Sequence, residues 1–224
     1  MKKPGTLYGL GVGPGDPELM TQKAVRILTA CDTVAIPQKE QSRCLALTIA
    51  AGAVPEVLQK PILCLDMPMT RDRQIRAHAC DQAAKRLILS LEAGQSVAFL
   101  TLGDPSIYST FGYLGRRVAR AGFPVETVPG VPSFCAAAAA FGEPLCLDGE
   151  GLRILPGTGE PERETRVYMK GSIPERKKEL QGQGETILAA QNVGMAGERL
   201  YRSLDEIPED TGYFTLIIAK EKES

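Results

Sequence analysis

The sequence predicts an α/β protein of two domains: an N-terminal parallel-sheet α/β domain over residues 1–130 and a smaller mixed-sheet α/β domain over 131–224. Three observations carry that expectation. Short apolar runs alternate with helical patterns through the first half, the grammar of a parallel sheet whose strands are joined by helices. One run, "SVAFLTL" (96–102), is nearly all apolar, as a strand covered on both faces has to be. In the second half strands and helices interleave less regularly, which suits a smaller sheet of mixed direction. The boundary is placed at the turn "VPGVPS" (128–133).

The elements follow in order. "TLYGLGV" (6–12) is the first strand. Asp16 can cap the next helix, with Pro17 in its first turn. Thr21 is a second candidate cap, and Ala24, Ile27, Leu28 and Cys31 recur at helical spacing. "TVAIP" (33–37) and "PILCLD" (61–66) are short strands. Thr70 can cap a helix that places Ile75, Ala79, Leu87 and Leu91 on one side and stops at Gly94. A helical segment runs from about 106 to 120, and "PVETV" (124–128) is a strand. "SFCAAAAAF" (133–141) is a small-sided helix able to pack closely. Further on, "LRILPGTGEPERETRVYMKG" reads as two short strands around a loop rich in Gly, Pro and Glu. "PERKKELQGQG" reads as a short polar helix, and "ETILAAQ" and "GYFTLIIAK" as strands.

Three turns share one design: a strand ends, Gly, Pro and Asp or Ser follow, and a helix begins. They are "GVGPGDP" (11–17), "TLGDPSIY" (101–108) and "VPGVPS" (128–133). Each alone is ordinary turn-and-cap chemistry. Together they line the carboxyl edge of a parallel sheet, where ligands of such sheets bind. The first is not a phosphate loop. It matches neither G-x-G-x-x-G nor G-x-x-x-x-G-K-S/T. Pro14 lacks the N–H an anion nest needs, and Asp16 adds negative charge. Asp104 can accept from ribose hydroxyls or an ammonium group, or it can cap a helix that has Pro105 in its first turn.

Composition excludes some classes of function. Net charge is −1, Trp is absent and aromatics are 5% of the chain, so no nucleic-acid partner is expected. No apolar run is long enough to span a bilayer, and "MKKPG" does not lead into a secretory core. The six cysteines form no C-x-x-C pair and read as small buried residues in a reducing cytoplasm. His78 is the single histidine, which disfavours a histidine metal site and triad catalysis. No metal is expected.

The three turns, in this order and spacing, resemble those of the tetrapyrrole (corrin/porphyrin) methyltransferases, which use S-adenosylmethionine. "GLGVGPGDPELMTQKAVRILTACDTVAIP", "TLGDPSIYSTFGYLGRRV" and "VPGVPSFCAAAAAFGEPL" correspond to their three motifs. Later stretches, "LRILPGTGE", "VYMKG" and "YFTLIIAK", extend the likeness along the chain, toward the branch that methylates C20 of precorrin-2 or its cobalt complex in cobalamin biosynthesis. The resemblance implies a two-domain fold with the methyl donor in a cleft between the domains, usually in a homodimer. It implies donor contacts from Pro14, from Leu102, Gly103, Asp104 and Ile107, and from Ser133 and Phe134. Met169, Val193 and Ala219 are implied from the second domain. Relatives often carry Ser or Thr where this chain has Pro132, so a hydroxyl contact is lost there. The implied substrate is a reduced tetrapyrrole rich in carboxylates. Arg71 and Arg73 within "TRDRQIR", Tyr108 and Arg116 are candidates to meet it, although arginines on helices are also ordinary solvated faces. Methyl transfer is an in-line displacement that needs alignment and exclusion of water rather than a side-chain nucleophile. No catalytic base is assigned. Two alternatives stand: methylation at another ring position, as on uroporphyrinogen III, and a non-catalytic nucleotide-binding module.

Overall fold

The computed structural model describes residues 3–68, 70, 72–155, 161, 163–169, 173–209, 211 and 214–221. Contacts divide the chain into two units, Met1–Glu150 and Gly151–Ser224. The boundary expected at 130/131 lies earlier in the chain, before the helix Ser133–Phe141 that here belongs to the first unit.

In the first unit five strands pair in parallel: β1 (Leu7–Gly11), β2 (Thr33–Ile36), β3 (Ile62–Cys64), β4 (Val97–Thr101) and β5 (Val125–Val128), in the order β3-β2-β4-β1-β5. Leu7 lies opposite Val97 on one side and Val125 on the other. The helices are α1 (Gln22–Ala30), α2 (Leu45–Ala53), α3 (Arg73–Glu92), α4 (Phe111–Arg120) and α5 (Ser133–Phe141). The chain moves outward from β1 through β2 to β3, then returns to β4 and passes to β5. A right-handed crossover changes face when its direction reverses. Accordingly, Leu10, Val34, Ile36, Ala98 and Leu100 form one core with α1 and α2, while Leu7, Ala35, Val97 and Phe99 form another with α3 and α4. β4, β1 and β5 are neighbours, so the turns that follow them converge at one edge.

Several boundaries differ from expectation, each for a physical reason. Thr21 caps α1, accepting from the Ala24 amide at 3.2 Å, whereas Asp16 caps only the short 3-10 helix Pro17–Leu19. Asp72, not Thr70, caps α3, because its carboxylate accepts from two first-turn amides, whereas Thr70 Oγ1 accepts from Asp72 N, outside the helix. The buried side of α3 is Cys80, Ala83, Ala84, Leu87 and Leu91; Ile75 is exposed. α4 begins at Phe111 rather than near 106, since residues 104–110 are held in turns. α2 was not expected. It is apolar around most of its circumference and so lacks an amphipathic period.

The second unit comprises β6 (Thr165–Met169), α6 (Ile173–Leu180), β7 (Thr186–Gln191), β8 (Arg199–Tyr201) and β9 (Thr215–Lys220), with sheet order β6-β9-β7-β8. Its pairings are antiparallel, where a mixed sheet was expected. Residues 151–155, read as a strand from "LRIL", are exposed and carry no strand assignment, and β8 was not anticipated. Leu180, Ile187, Ala189, Ile207, Ile217 and Ala219 form the core. Among the described residues no helix is long and apolar enough to cross a membrane.

Candidate functional site

The first two turns are joined by backbone alone. Val12 N donates to Thr101 O at 3.0 Å, and Gly103 N donates to Gly13 O at 2.9 Å. Gly13 and Gly103 form an isolated antiparallel bridge beyond the ends of their strands. Both have positive φ, 77° and 62°, which glycine adopts without a Cβ clash. This bridge is why the chain leaves two parallel strands yet meets again past their ends.

The third turn closes on the other two. A Cβ on Gly11 would lie 2.6 Å from Gly103 O and 2.8 Å from both Cα and N of Gly130. A Cβ on Gly130 would strike Gly103 O as well. Gly11, Gly103 and Gly130 thus pack main chain on main chain, and side chains would hold the turns apart. Asp104 fastens the arrangement. Its Oδ2 accepts from Gly130 N at 2.9 Å, and its Oδ1 accepts from Ser106 N at 2.7 Å and from the Ser106 hydroxyl. Thr21 Oγ1, at the N-cap of α1, donates to Pro129 O at 3.3 Å and ties the start of that helix to the third turn.

The segment after Asp104 is pinned at its far end too. Ser109 Oγ lies 2.9 Å from Thr101 Oγ1 and accepts from Phe111 N at 3.2 Å. The Phe111 ring fills the space that a Cβ on Gly9 would need, and it packs against Phe99 at a centroid distance of 5.8 Å. Between the two pins Tyr108 adopts φ 46°, a conformation uncommon for a residue with a Cβ, and its side chain is largely exposed. Strained positions of this kind gather at functional sites.

The structure therefore brings together most of the residues expected from the first unit. Pro14 is half-buried in the first turn, and Leu102, exposed although apolar, projects from the second beside Gly103 and Asp104. Ile107 is half-buried in the pinned segment. Asp104 is neither a helix cap nor a free carboxylate; it staples two turns. Ser133 and Phe134 open α5 directly after the third turn. Pro132 holds the N-cap position there without a side-chain hydrogen bond, so the first-turn amides have no side-chain cap. In the second unit Met169 ends β6 and is exposed, and Val193 is exposed in the turn after β7 between Asn192 and Gly194, both at positive φ. Ala219 is fully buried in β9, paired with Arg166 and Ile187, so its methyl belongs to the core. Of the substrate candidates, Arg73 is the first residue of α3, Arg116 is exposed on α4, and Arg71 lies outside the described residues. The contribution of Gly11, Gly130 and Thr21 was not apparent from sequence; the glycine in each of the three turns was the signal available.

Comparisons with known proteins agree with one another. A family model, the tetrapyrrole (corrin/porphyrin) methylases, matches residues 6–208. A cobalt-precorrin-2 C(20)-methyltransferase of Salmonella typhimurium is 33% identical, with 97% of each chain covered. A precorrin-2 C(20)-methyltransferase of Sinorhizobium sp is 28% identical over 96% of this chain and 94% of the relative. Among solved structures, the uroporphyrin-III-C-methyltransferase of Thermus thermophilus superposes with a TM-score of 0.51 at 26% identity, covering 96% of this chain and 91% of that one.

Proposed function

The chain belongs to the tetrapyrrole (corrin/porphyrin) methylase family, and from that premise we propose that it transfers a methyl group from S-adenosylmethionine to C20 of precorrin-2 or cobalt-precorrin-2 in cobalamin biosynthesis. The observation that carries the donor site is the closure of Gly11, Gly103 and Gly130 under the Asp104 carboxylate. What supports C20 is likeness along nearly the whole chain to two relatives named for that position. The relative named for the cobalt complex has the higher identity of the two.

The residues at the knot fit such a donor. Exposed Leu102 and half-buried Ile107 offer apolar surface to an adenosine. The uncapped first turn of α5 offers amide donors to an acceptor group. When bound, S-adenosylmethionine supplies an electrophilic methyl group on a positively charged sulfur. The chain's part is placement. The bridged turns hold Leu102, Gly103 and Pro14 at fixed positions, so little freedom is lost when a ligand is gripped. Apolar side chains exclude water that would compete for the methyl group. Neither task needs a nucleophilic side chain. Met169 and Val193 remain proposed donor contacts of the second unit, Ala219 only through its main chain because its methyl lies in the core, and the homodimer and the cytoplasmic setting are likewise proposals.

Titration calorimetry with S-adenosylhomocysteine, ATP and NAD tests the donor assignment. The expected result is saturable binding of S-adenosylhomocysteine alone. Tight binding of ATP or NAD without it favours a nucleotide-binding module and overturns the proposal.

A further inference from the structure

Beside the knot, two helices present a cation, Arg76, for which the described residues show no ion pair. Arg76 Cζ lies 5.2 Å from the centroid of the Tyr113 ring. Arg76 is in the first turn of α3 and Tyr113 in the first turn of α4. Further along both helices, Arg117 Nε meets Asp81 Oδ1 at 2.6 Å, and Arg117 Nη1 donates to Tyr113 O at 3.1 Å. The two pairs advance in the same direction, so α3 and α4 run parallel with their first turns side by side. Both follow strands of one parallel sheet, so both begin at its carboxyl edge. That is the edge that carries the three turns.

The distribution of charge decides what this pair can do. The Asp81 carboxyl is held below the usual carboxylate range, first by its hydrogen bond from Arg117 and then by the charges of Arg117, Lys85 and His78. That carboxylate serves Arg117. The Asp72 carboxylate accepts from the Gln74 and Ile75 amides, at 2.8 and 3.1 Å. Neither first turn contains an acidic residue. The Tyr113 ring orients the half-buried Arg76 guanidinium but leaves its charge intact. A cation in a helix's first turn is also opposed by the helix dipole. An oriented, partly desolvated cation in such a place is matched to an anion from outside the chain.

We propose that Arg76, steadied by Tyr113, is a specificity-determining residue that binds one peripheral carboxylate of the tetrapyrrole through paired, charge-assisted hydrogen bonds. The assignment rests on the tetrapyrrole methylation proposed above. It is tested by steady-state methyl transfer from labelled S-adenosylmethionine, varying donor and tetrapyrrole separately, with the parent, Arg76→Leu, Arg76→Lys and Tyr113→Leu. In Arg76→Leu the tetrapyrrole KM rises about tenfold or more while the donor KM is unchanged. Arg76→Lys recovers part of the loss, and Tyr113→Leu, which keeps the charge but removes its platform, is intermediate. Raising salt raises the parent's tetrapyrrole KM more than that of Arg76→Leu. A folded Arg76→Leu with a tetrapyrrole KM within about twofold of the parent overturns the assignment while the proposed reaction stands. Should Arg76→Leu fail to fold, an unchanged KM in both Tyr113→Leu and Arg76→Lys overturns it equally. A parent that methylates no tetrapyrrole overturns the proposed reaction, and this assignment with it.

Discussion

Asp104 Oδ2 accepts a hydrogen bond from the Gly130 amide at 2.9 Å, joining the turn after β4 to the turn after β5. The same carboxylate accepts from Ser106 through its other oxygen. One side chain thus sets both the internal shape of the second turn and its distance from the third. Asp104→Ala releases both. We expect a loss of about 1–2 kcal/mol in stability, the scale of hydrogen bonds to a charged acceptor near the surface. We also expect a rise of about tenfold or more in the dissociation constant for S-adenosylhomocysteine, because the turns no longer hold their spacing. Urea unfolding and calorimetry on one preparation measure both. Reduced stability with unchanged affinity would limit Asp104 to a scaffold role.

Gly11 has no room for a methyl group, with Gly103 O at 2.6 Å from an ideal Cβ and backbone on the other side at 2.8 Å. Gly15, four residues later in the same turn, has nothing within 4 Å of an ideal Cβ. Gly11→Ala is expected to cost about 1–3 kcal/mol and to weaken donor binding, since main chain yields less readily than a side chain. Gly15→Ala is expected to stay within about 0.5 kcal/mol of the parent. Equal effects of the two substitutions would contradict the backbone packing described here.

Acid sensitivity has an identifiable contributor away from the site. The Ser96 hydroxyl and the Ser96 amide donate to Asp32 Oδ2 at 2.6 and 2.7 Å, and these bonds pull the Asp32 carboxyl below its ordinary value. A depressed carboxyl contributes stability above the unfolded-state value of about 3.9, and that contribution disappears as pH falls through the folded-state value. Ser96→Ala should therefore be less stable than the parent at pH 7, and the gap should narrow below about pH 4. Asp32 is exposed, so the gap is small. Chemical denaturation of both proteins across pH reads it; a gap that is constant with pH would assign the loss to something other than Asp32.

Thiol chemistry should divide the cysteines by depth. Burial raises the Cys31, Cys44 and Cys80 thiols above their ordinary value, so they stay protonated at neutral pH. Cys135 and Cys146 are exposed. An aromatic disulfide reagent should label Cys135 and Cys146 in the native protein and reach the three buried thiols only on unfolding. Peptide mass spectrometry assigns the sites, and fast native labelling of Cys31 or Cys80 would contradict the packing of the first unit.

Much of the first unit was legible because its signals are local. The apolar run 96–102 contains β4, and Ser133–Phe141 is the helix expected. Where local signals coincide, reading failed. Asp104-Pro105 reads as a helix start, yet Gly130 claims the carboxylate from across the chain and the helix waits until Phe111. α2 was invisible because an apolar helix enclosed by neighbours has no polar stripe to mark its period. β8 is three residues long and, among the described residues, pairs with β7 alone. The three turns could be read as companions, but not that three glycines touch, because contact across distant turns leaves only the residue type behind.

The most direct test of the central claim supplies the protein with labelled S-adenosylmethionine and, in parallel, precorrin-2, cobalt-precorrin-2 and uroporphyrinogen III. Mass spectrometry and isotope-edited NMR then locate any new methyl group. The account predicts a single methyl group at C20 of precorrin-2 or its cobalt complex, and none on uroporphyrinogen III. Methylation of uroporphyrinogen III, or of precorrin-2 at another ring carbon, would contradict it.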